Sequence, residues 1–191
     1  GIHFDDYFYP SQDAALDSTA YESYVQSVEE PLPLLDWRKA NINAMVAEVY
    51  SAIKEVKPEV VFGISPQGNI ANDEAMGADV ETWAAVPGYV DYLCPQLYFS
   101  FENEALGYME ALEEWAALPQ HEGLKLYAGL ALYKAGNEAD NSTWLLRDNI
   151  IALQAEAALE AGYQGVILYS SDYLDAQQTE KEMKNAMAVL E

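Results

Sequence analysis

Two hydrophobic patterns alternate along the chain. Short apolar runs rich in Val, Ile, Leu and Tyr fall at residues 1–7, 60–65, 90–98, 125–133 and 165–170. They are too short for helices and too continuously apolar for strands with one wet face, so they predict buried parallel strands. Between them, apolar positions recur at helical spacing. A polar loop without a strong period runs to Pro33. Ile42, Met45, Val46, Val49, Ile53 and Val56 then form one stripe, with Asp36 as the predicted N-cap and Pro58 as the stop. A loop holding Gly68 and Gly77 follows the second strand, then a short helix over 79–86. Leu106, Met109, Leu112 and Trp115 mark a helix over 102–118. Asn141 and Ser142 are the caps predicted for a long helix ending at Gly162, and a last helix covers 176–190.

Five strands, each followed by a helix, predict an α/β protein. An open doubly wound sheet and a (β/α)8 barrel both satisfy the alternation. No strand runs into a Gly-x-Gly-x-x-Gly turn, which argues against a dinucleotide-binding sheet. Polar and aromatic residues gather after every strand: Asp5, Asp6 and Tyr7; Ser65 to Gln67; Gln96 and Tyr98; Tyr133 and Lys134; Ser170 to Asp172. In a barrel those ends converge on one mouth. The reading is a partial (β/α)8 TIM-type barrel of about five βα units, forming a single domain over residues 1–191. At about 35–40 residues per unit, eight units need about 300. Three N-terminal units are therefore expected to be missing. The two strand edges this leaves open are expected to be covered by a second copy of the chain, by packing or strand exchange.

Composition narrows the partners. Nine Lys and Arg against 32 Asp and Glu give a net charge of -23, which opposes binding to nucleic acid or to anionic membrane. No apolar run reaches the ~18 residues of a membrane span, so this segment is not expected to insert. One cysteine, Cys94, excludes an internal disulfide, and two histidines, His3 and His121, argue against a His-rich catalytic metal site. No Asp-x-Asp-x-Asp-Gly loop suggests calcium. Neither metal nor cofactor is expected. Fourteen Tyr and four Trp offer flat apolar faces with a polar edge, which suit sugar rings and ordinary cores alike.

Residues 1–10 (Gly-Ile-His-Phe-Asp-Asp-Tyr-Phe-Tyr-Pro), 36–43 (Asp-Trp-Arg-Lys-Ala-Asn-Ile-Asn), 62–66 (Phe-Gly-Ile-Ser-Pro), 91–98 (Asp-Tyr-Leu-Cys-Pro-Gln-Leu-Tyr) and 127–133 (Tyr-Ala-Gly-Leu-Ala-Leu-Tyr) resemble the glycosyl-hydrolase-like family 10 proteins. These are bacterial, mostly envelope or secreted proteins, some of which act on the glycan strands of peptidoglycan. The resemblance spans nearly the whole chain in the same order. It implies the C-terminal part of a TIM-type barrel, from about strand four to strand eight. It also implies an extracytoplasmic glycoside hydrolase acting on a polysaccharide. The alternatives are a non-catalytic glycan-binding module on a degenerate barrel, or an assembly segment whose acids are only surface charge.

Glycosidic cleavage by carboxylate acid/base chemistry uses two carboxyl groups. Asp5 and Asp6 are adjacent on a strand, so they face opposite ways and do not form one catalytic pair. Ile2, Phe4 and Phe8 are expected to face the helices, and His3, Asp5 and Tyr7 the barrel interior. Asp5 is thus the first candidate, with Asp6 holding a loop or a helix N-terminus. The structural alternative has both acids accepting from backbone and from Arg38. Asp172 and Glu102 lead the candidates for the second acid, ahead of Asp73, Glu74, Glu104, Glu138 and Asp140. The missing part is an alternative source. Asp91 precedes its strand and reads as structural. Gln96 and Tyr98 share a face with Cys94, and a buried Gln needs a partner, either a sugar hydroxyl or an interior network. Ser65 lacks a nearby His and reads as a substrate contact or a turn residue. Tyr7, Tyr9, Tyr98, Tyr133, Tyr169 and Tyr173 are candidates for stacking on sugars, against plain rim packing. Cys94 reads as a small buried apolar residue.

Overall fold

The computed structural model describes residues 1–5 and 8–190. Its five strands are β1 (Ile2–Asp5), β2 (Phe62–Ser65), β3 (Tyr92–Leu93), β4 (Lys125–Leu130) and β5 (Gly165–Leu168). They form one parallel sheet in the order β1-β2-β3-β4-β5. A doubly wound sheet reverses strand order at its switch point. An unreversed order with helical crossovers is an arc of a TIM-type barrel. The helices are α1 (Ser18–Ser27), α2 (Leu34–Val56), α3 (Ile70–Ala75), α4 (Val80–Ala85), α5 (Tyr108–Ala117), α6 (Ala139–Leu146), α7 (Ile150–Glu160) and α8 (Glu180–Leu190). Among the described residues, no helix is long and apolar enough to cross a membrane.

Strand alternation sorts side chains between the two faces. Phe62, Ile64, Leu93, Leu126, Ala128 and Leu130 are buried with Ile42 and Val46 of α2, Leu112 and Trp115 of α5, and Ile151, Ala155 and Ala158 of α7. Phe4 joins them edge-on to Phe62, with ring centroids 5.0 Å apart. The other face is the barrel interior. There His3 lies opposite Gly63, Asp5 opposite Ser65, and Gly63 opposite Tyr92. A Cβ on Gly63 would come within 2.2 Å of the Tyr92 ring, so glycine lets that ring lie directly on the neighbouring strand. The Tyr92 hydroxyl is 2.7 Å from His3 Nδ1, and the Tyr92 ring meets Tyr127 edge-on. Further along this face, Ile167 and Tyr169 are 40% and 51% exposed, because the arc leaves its interior open.

The bottom of the arc is pinned by Asp91. It accepts from Lys54 Nζ at 2.6 Å, the Phe62 backbone N–H at 2.7 Å and the Tyr50 hydroxyl at 3.3 Å. Burial works against its charge, but these donors outweigh burial and hold its carboxyl below the usual range.

Several elements differ from their expected form. The expected strand over 90–98 keeps only two ladder residues, β3; Pro95, which lacks an N–H, follows it. The second helix begins at Leu34 after Pro33, and Asp36 sits in its first turn instead of capping it. The expected loop before Pro33 contains a 3-10 turn (Ala14–Leu16) and α1, which buries no residue and so carries no apolar period. The long helix expected to end at Gly162 is two helices. Asp140, Asn141 and Ser142 take φ of 48°, 56° and 64°, a left-handed turn that ordinary side chains avoid. The α7 N-terminus is capped from α8: Glu182 accepts from the Ile150 and Ile151 N–H groups at 2.9 and 3.0 Å. Burial is the main reason the Glu182 carboxyl is pushed above its usual range.

Candidate active site

Asp5 ends β1 on the interior face. Gln96 Nε2 donates to Asp5 Oδ1 at 2.8 Å and to the Ser65 carbonyl at 3.2 Å. Gln96 itself bridges Gln67 and Gly129 in the sheet, and Ser65 Oγ donates to the Cys94 carbonyl at 2.9 Å. The ends of β1, β2 and β3 are thus tied together by polar side chains beneath one carboxylate. Gln96 belongs to an interior network and also orients Asp5. Cys94 is buried, and desolvation pushes its thiol up to about 12, so it is no nucleophile at ordinary pH. Asp6 and Tyr7 lie outside the described residues.

Three tyrosines form a wall at the same mouth. Tyr98 stacks on Tyr169 with centroids 5.9 Å apart, and Tyr133 meets both rings edge-on at 5.9 and 6.0 Å. Tyr173 lies 6.4 Å from Tyr133. The wall is fixed through its backbone: Lys134 Nζ donates to the Tyr98 carbonyl at 2.7 Å, and Asn137 Nδ2 to the Tyr133 carbonyl at 2.7 Å. Burial raises the Tyr98 hydroxyl far above its ordinary value, so it stays neutral. Tyr9 belongs elsewhere. Its ring lies 4.6 Å from the Arg38 guanidinium, and burial together with Asp17 raises its hydroxyl.

The other candidate acids are placed as follows. Glu102 pairs with Arg147 at 3.0 Å, half exposed. Asp172 lies exposed in the 3-10 turn Ser171–Tyr173 behind β5. Glu74 pairs with Lys39, and Glu104 accepts from Asn141 at 3.3 Å. Asp73 is fully buried and accepts from the Gln67 N–H at 3.1 Å. Arg38 is 3% exposed and donates to both oxygens of Asp17, at 3.0 and 2.6 Å, and to the Asp13 and Gln12 carbonyls.

Asp140 is a hub whose importance its sequence neighbourhood did not signal. It accepts from Trp144 Nε1 at 2.9 Å, the Ser100 N–H at 3.0 Å and Asn103 Nδ2 at 3.2 Å, with Lys134 Nζ 3.6 Å away. It joins the loop after β3 to the segment after β4, which explains how three left-handed residues are tolerated there. Burial opposes its charge, but these donors hold its carboxyl below the usual range. It is therefore a poor proton donor. A depressed folded value means stability that is present above the unfolded carboxylate value, about 4, and lost as pH falls through the folded value. The urea midpoint of the wild type should exceed that of Asp140→Asn near neutral pH. That gap should shrink by about pH 3. A gap independent of pH would contradict this role.

A parallel arc with a carboxylate at a strand's C-terminal end, beside a wall of tyrosines, defines a TIM-type barrel protein. The chain belongs to the Glycosyl hydrolase-like 10 family, which matches residues 1–145. It is 30% identical over 201 aligned positions to glycosyl hydrolase DigH of Escherichia coli (strain K12), covering 95% of this chain and 45% of that protein. It is 34% identical over 158 positions to glycosyl hydrolase YngK of Bacillus subtilis (strain 168), covering 73% of this chain and 30% of that protein. The chain thus spans less than half the length of these relatives.

Proposed function

We propose that this chain serves a glycoside hydrolase that cleaves a polysaccharide, with peptidoglycan glycan strands as substrate, in the cell envelope or outside the cell. The observation that supports this best is the Asp5 carboxylate, held by Gln96 at 2.8 Å at the mouth that Tyr98, Tyr133 and Tyr169 line. In this reading Asp5 is a catalytic carboxylate, oriented by the Gln96 amide N–H on Oδ1. Asp172, behind β5 and exposed, is the better second acid, since Glu102 is paired with Arg147. Ser65 and Gln96 position the reacting group, and the tyrosines take sugar faces. Release of reducing ends from denuded glycan strands, with Asp5→Asn and Asp172→Asn alongside the wild type, tests the assignment. A separation of the two carboxyls of about 5–5.5 Å corresponds to retention, and about 6.5–9.5 Å to inversion.

The commitment of Glu102 to Arg147 favours a second reading, a non-catalytic glycan-binding module. That reading requires glycan binding, without hydrolysis, that survives Asp5→Asn.

Self-association belongs to the same proposal. Among the described residues, β1 and β5 each pair on one side only, and the apolar residues Ile2 and Ile167 on them are each 40% exposed. Unpaired edges with apolar neighbours invite a second copy. Light scattering of the purified chain is expected to give a dimer or larger species, and a monodisperse monomer would refute this.

A further inference from the structure

Beside Asp5, between the loop after β2 and the loop after β3, lies a cleft of about 290 Å³. Four primary amides line it, Gln67, Asn69, Asn72 and Gln96, together with the rings of Tyr98 and Phe99. The two loops meet closely for a definite reason. A Cβ on Gly68 would stand 2.3 Å from the Gln96 carbonyl oxygen and 2.7 Å from the Phe99 ring, so only glycine allows this approach. Trp115 Nε1 donates to the Gly68 carbonyl at 3.1 Å from the core side. Asn69 Oδ1 caps α3 through the Asn72 N–H at 3.1 Å, and the Gln67 N–H is held by buried Asp73. The cleft walls are therefore anchored to the core.

Its chemistry departs from that of the rest of the molecule. The chain carries 32 acidic residues and a net charge of -23, yet among the described residues no carboxylate, lysine or arginine lines this cleft. A primary amide both donates and accepts, as do a sugar hydroxyl and an acetamido group. An anionic sugar would meet the repulsive field of the whole chain, and the four amides of the lining pair with hydroxyl and acetamido groups without needing a charge on the sugar. Gln96 belongs to both places, since the side chain that lines the cleft also holds Asp5.

We propose that this cleft is a subsite for an uncharged sugar ring next to Asp5, a proposal that rests on the glycan-cleaving reading given above. The test is NMR of the isotope-labelled 191-residue chain, following its side-chain amide signals. Three tetrasaccharide probes are titrated: neutral N-acetylglucosamine, cationic glucosamine and anionic galacturonate. The neutral probe is expected to shift the amide signals of Asn72 and Gln67. Asn72→Asp, which adds charge at constant size on an exposed side chain, should weaken that binding by about fivefold or more. Gln26→Glu, on α1, none of whose residues lines the cleft, should leave it unchanged. Silence at Asn72 and Gln67, equal binding of the anionic or cationic probe, or unchanged affinity in Asn72→Asp would overturn the subsite. The Asp5→Asn hydrolysis assay reads the catalytic role alone, so the two readings fail separately.

Discussion

Asp5→Asn should lower the rate of glycan hydrolysis by about 10²–10⁴-fold, the usual contribution of one positioned acid or base. The substitution keeps size and shape, and an asparagine carbonyl can still accept from Gln96 Nε2, which lies 2.8 Å from Asp5 Oδ1. What it removes is the negative charge and the ability to take a proton or attack an anomeric carbon. The fold should therefore survive, with an unchanged melting temperature beside the lost rate. The position supports a large effect: Asp5 closes a barrel strand at its C-terminal end, where enzymes of this architecture hold their chemistry. Gln96→Ala offers a graded comparison. It would remove the amide bond to Oδ1 without removing the carboxylate, so its loss should be smaller than that of Asp5→Asn. Equal turnover in wild type and Asp5→Asn would remove Asp5 from the mechanism.

Arg38→Met should cost about 3–5 kcal/mol of stability, the usual result of removing one partner of a buried ion pair. For a chain of this size that is a fall in melting temperature of roughly 10 °C. Arg38 is 3% exposed, and its guanidinium spans both Asp17 oxygens and two backbone carbonyls. Asp17 is only 13% exposed, and its carboxyl is held below the usual range first by the hydrogen bonds from Arg38. Methionine fills similar space but leaves that charge buried and unmatched. Adding Asp17→Asn to Arg38→Met should recover part of the loss by deleting the orphaned charge. A loss below about 1 kcal/mol, measured by urea denaturation, would class the pair with exposed salt bridges. The clamp matters for the site because it ties α2 to residues 12–17, the segment that follows the acid-bearing strand, and seats Tyr9 against the guanidinium.

Much of this arrangement was legible in the chain itself. The five strands and most of the helices appear in the expected order, and the alternation of Phe4 with His3 and Asp5 places their side chains on the expected faces. Other features were not legible, each for a definite reason. α1 buries nothing, so it leaves no apolar stripe to read. The Asn141 and Ser142 pair reads as a helix cap, since polar residues that cap helices also tolerate left-handed turns. Here the turn wins because Asp140 gains donors from Ser100, Asn103 and Trp144. The structural alternative for the paired acids had Arg38 as their donor; among the described residues its hydrogen bonds run to Asp17, Asp13 and Gln12.

The sequence by itself determined the α/β class, the order of the strands, and the position of Asp5 at a strand end with its side chain turned from the apolar face. These are local properties, written in periods of 2 and 3.6 residues that neighbouring positions reveal. Only the tertiary structure decided what each polar group meets. Gln96 reaches Asp5 across 91 positions of sequence, Glu182 caps a helix some 30 residues earlier, and the amide-lined cleft exists only where Gly68 lets two loops touch. A hydrogen bond between distant elements leaves no period in the chain, because it depends on how the barrel arc curves and not on which residues are adjacent.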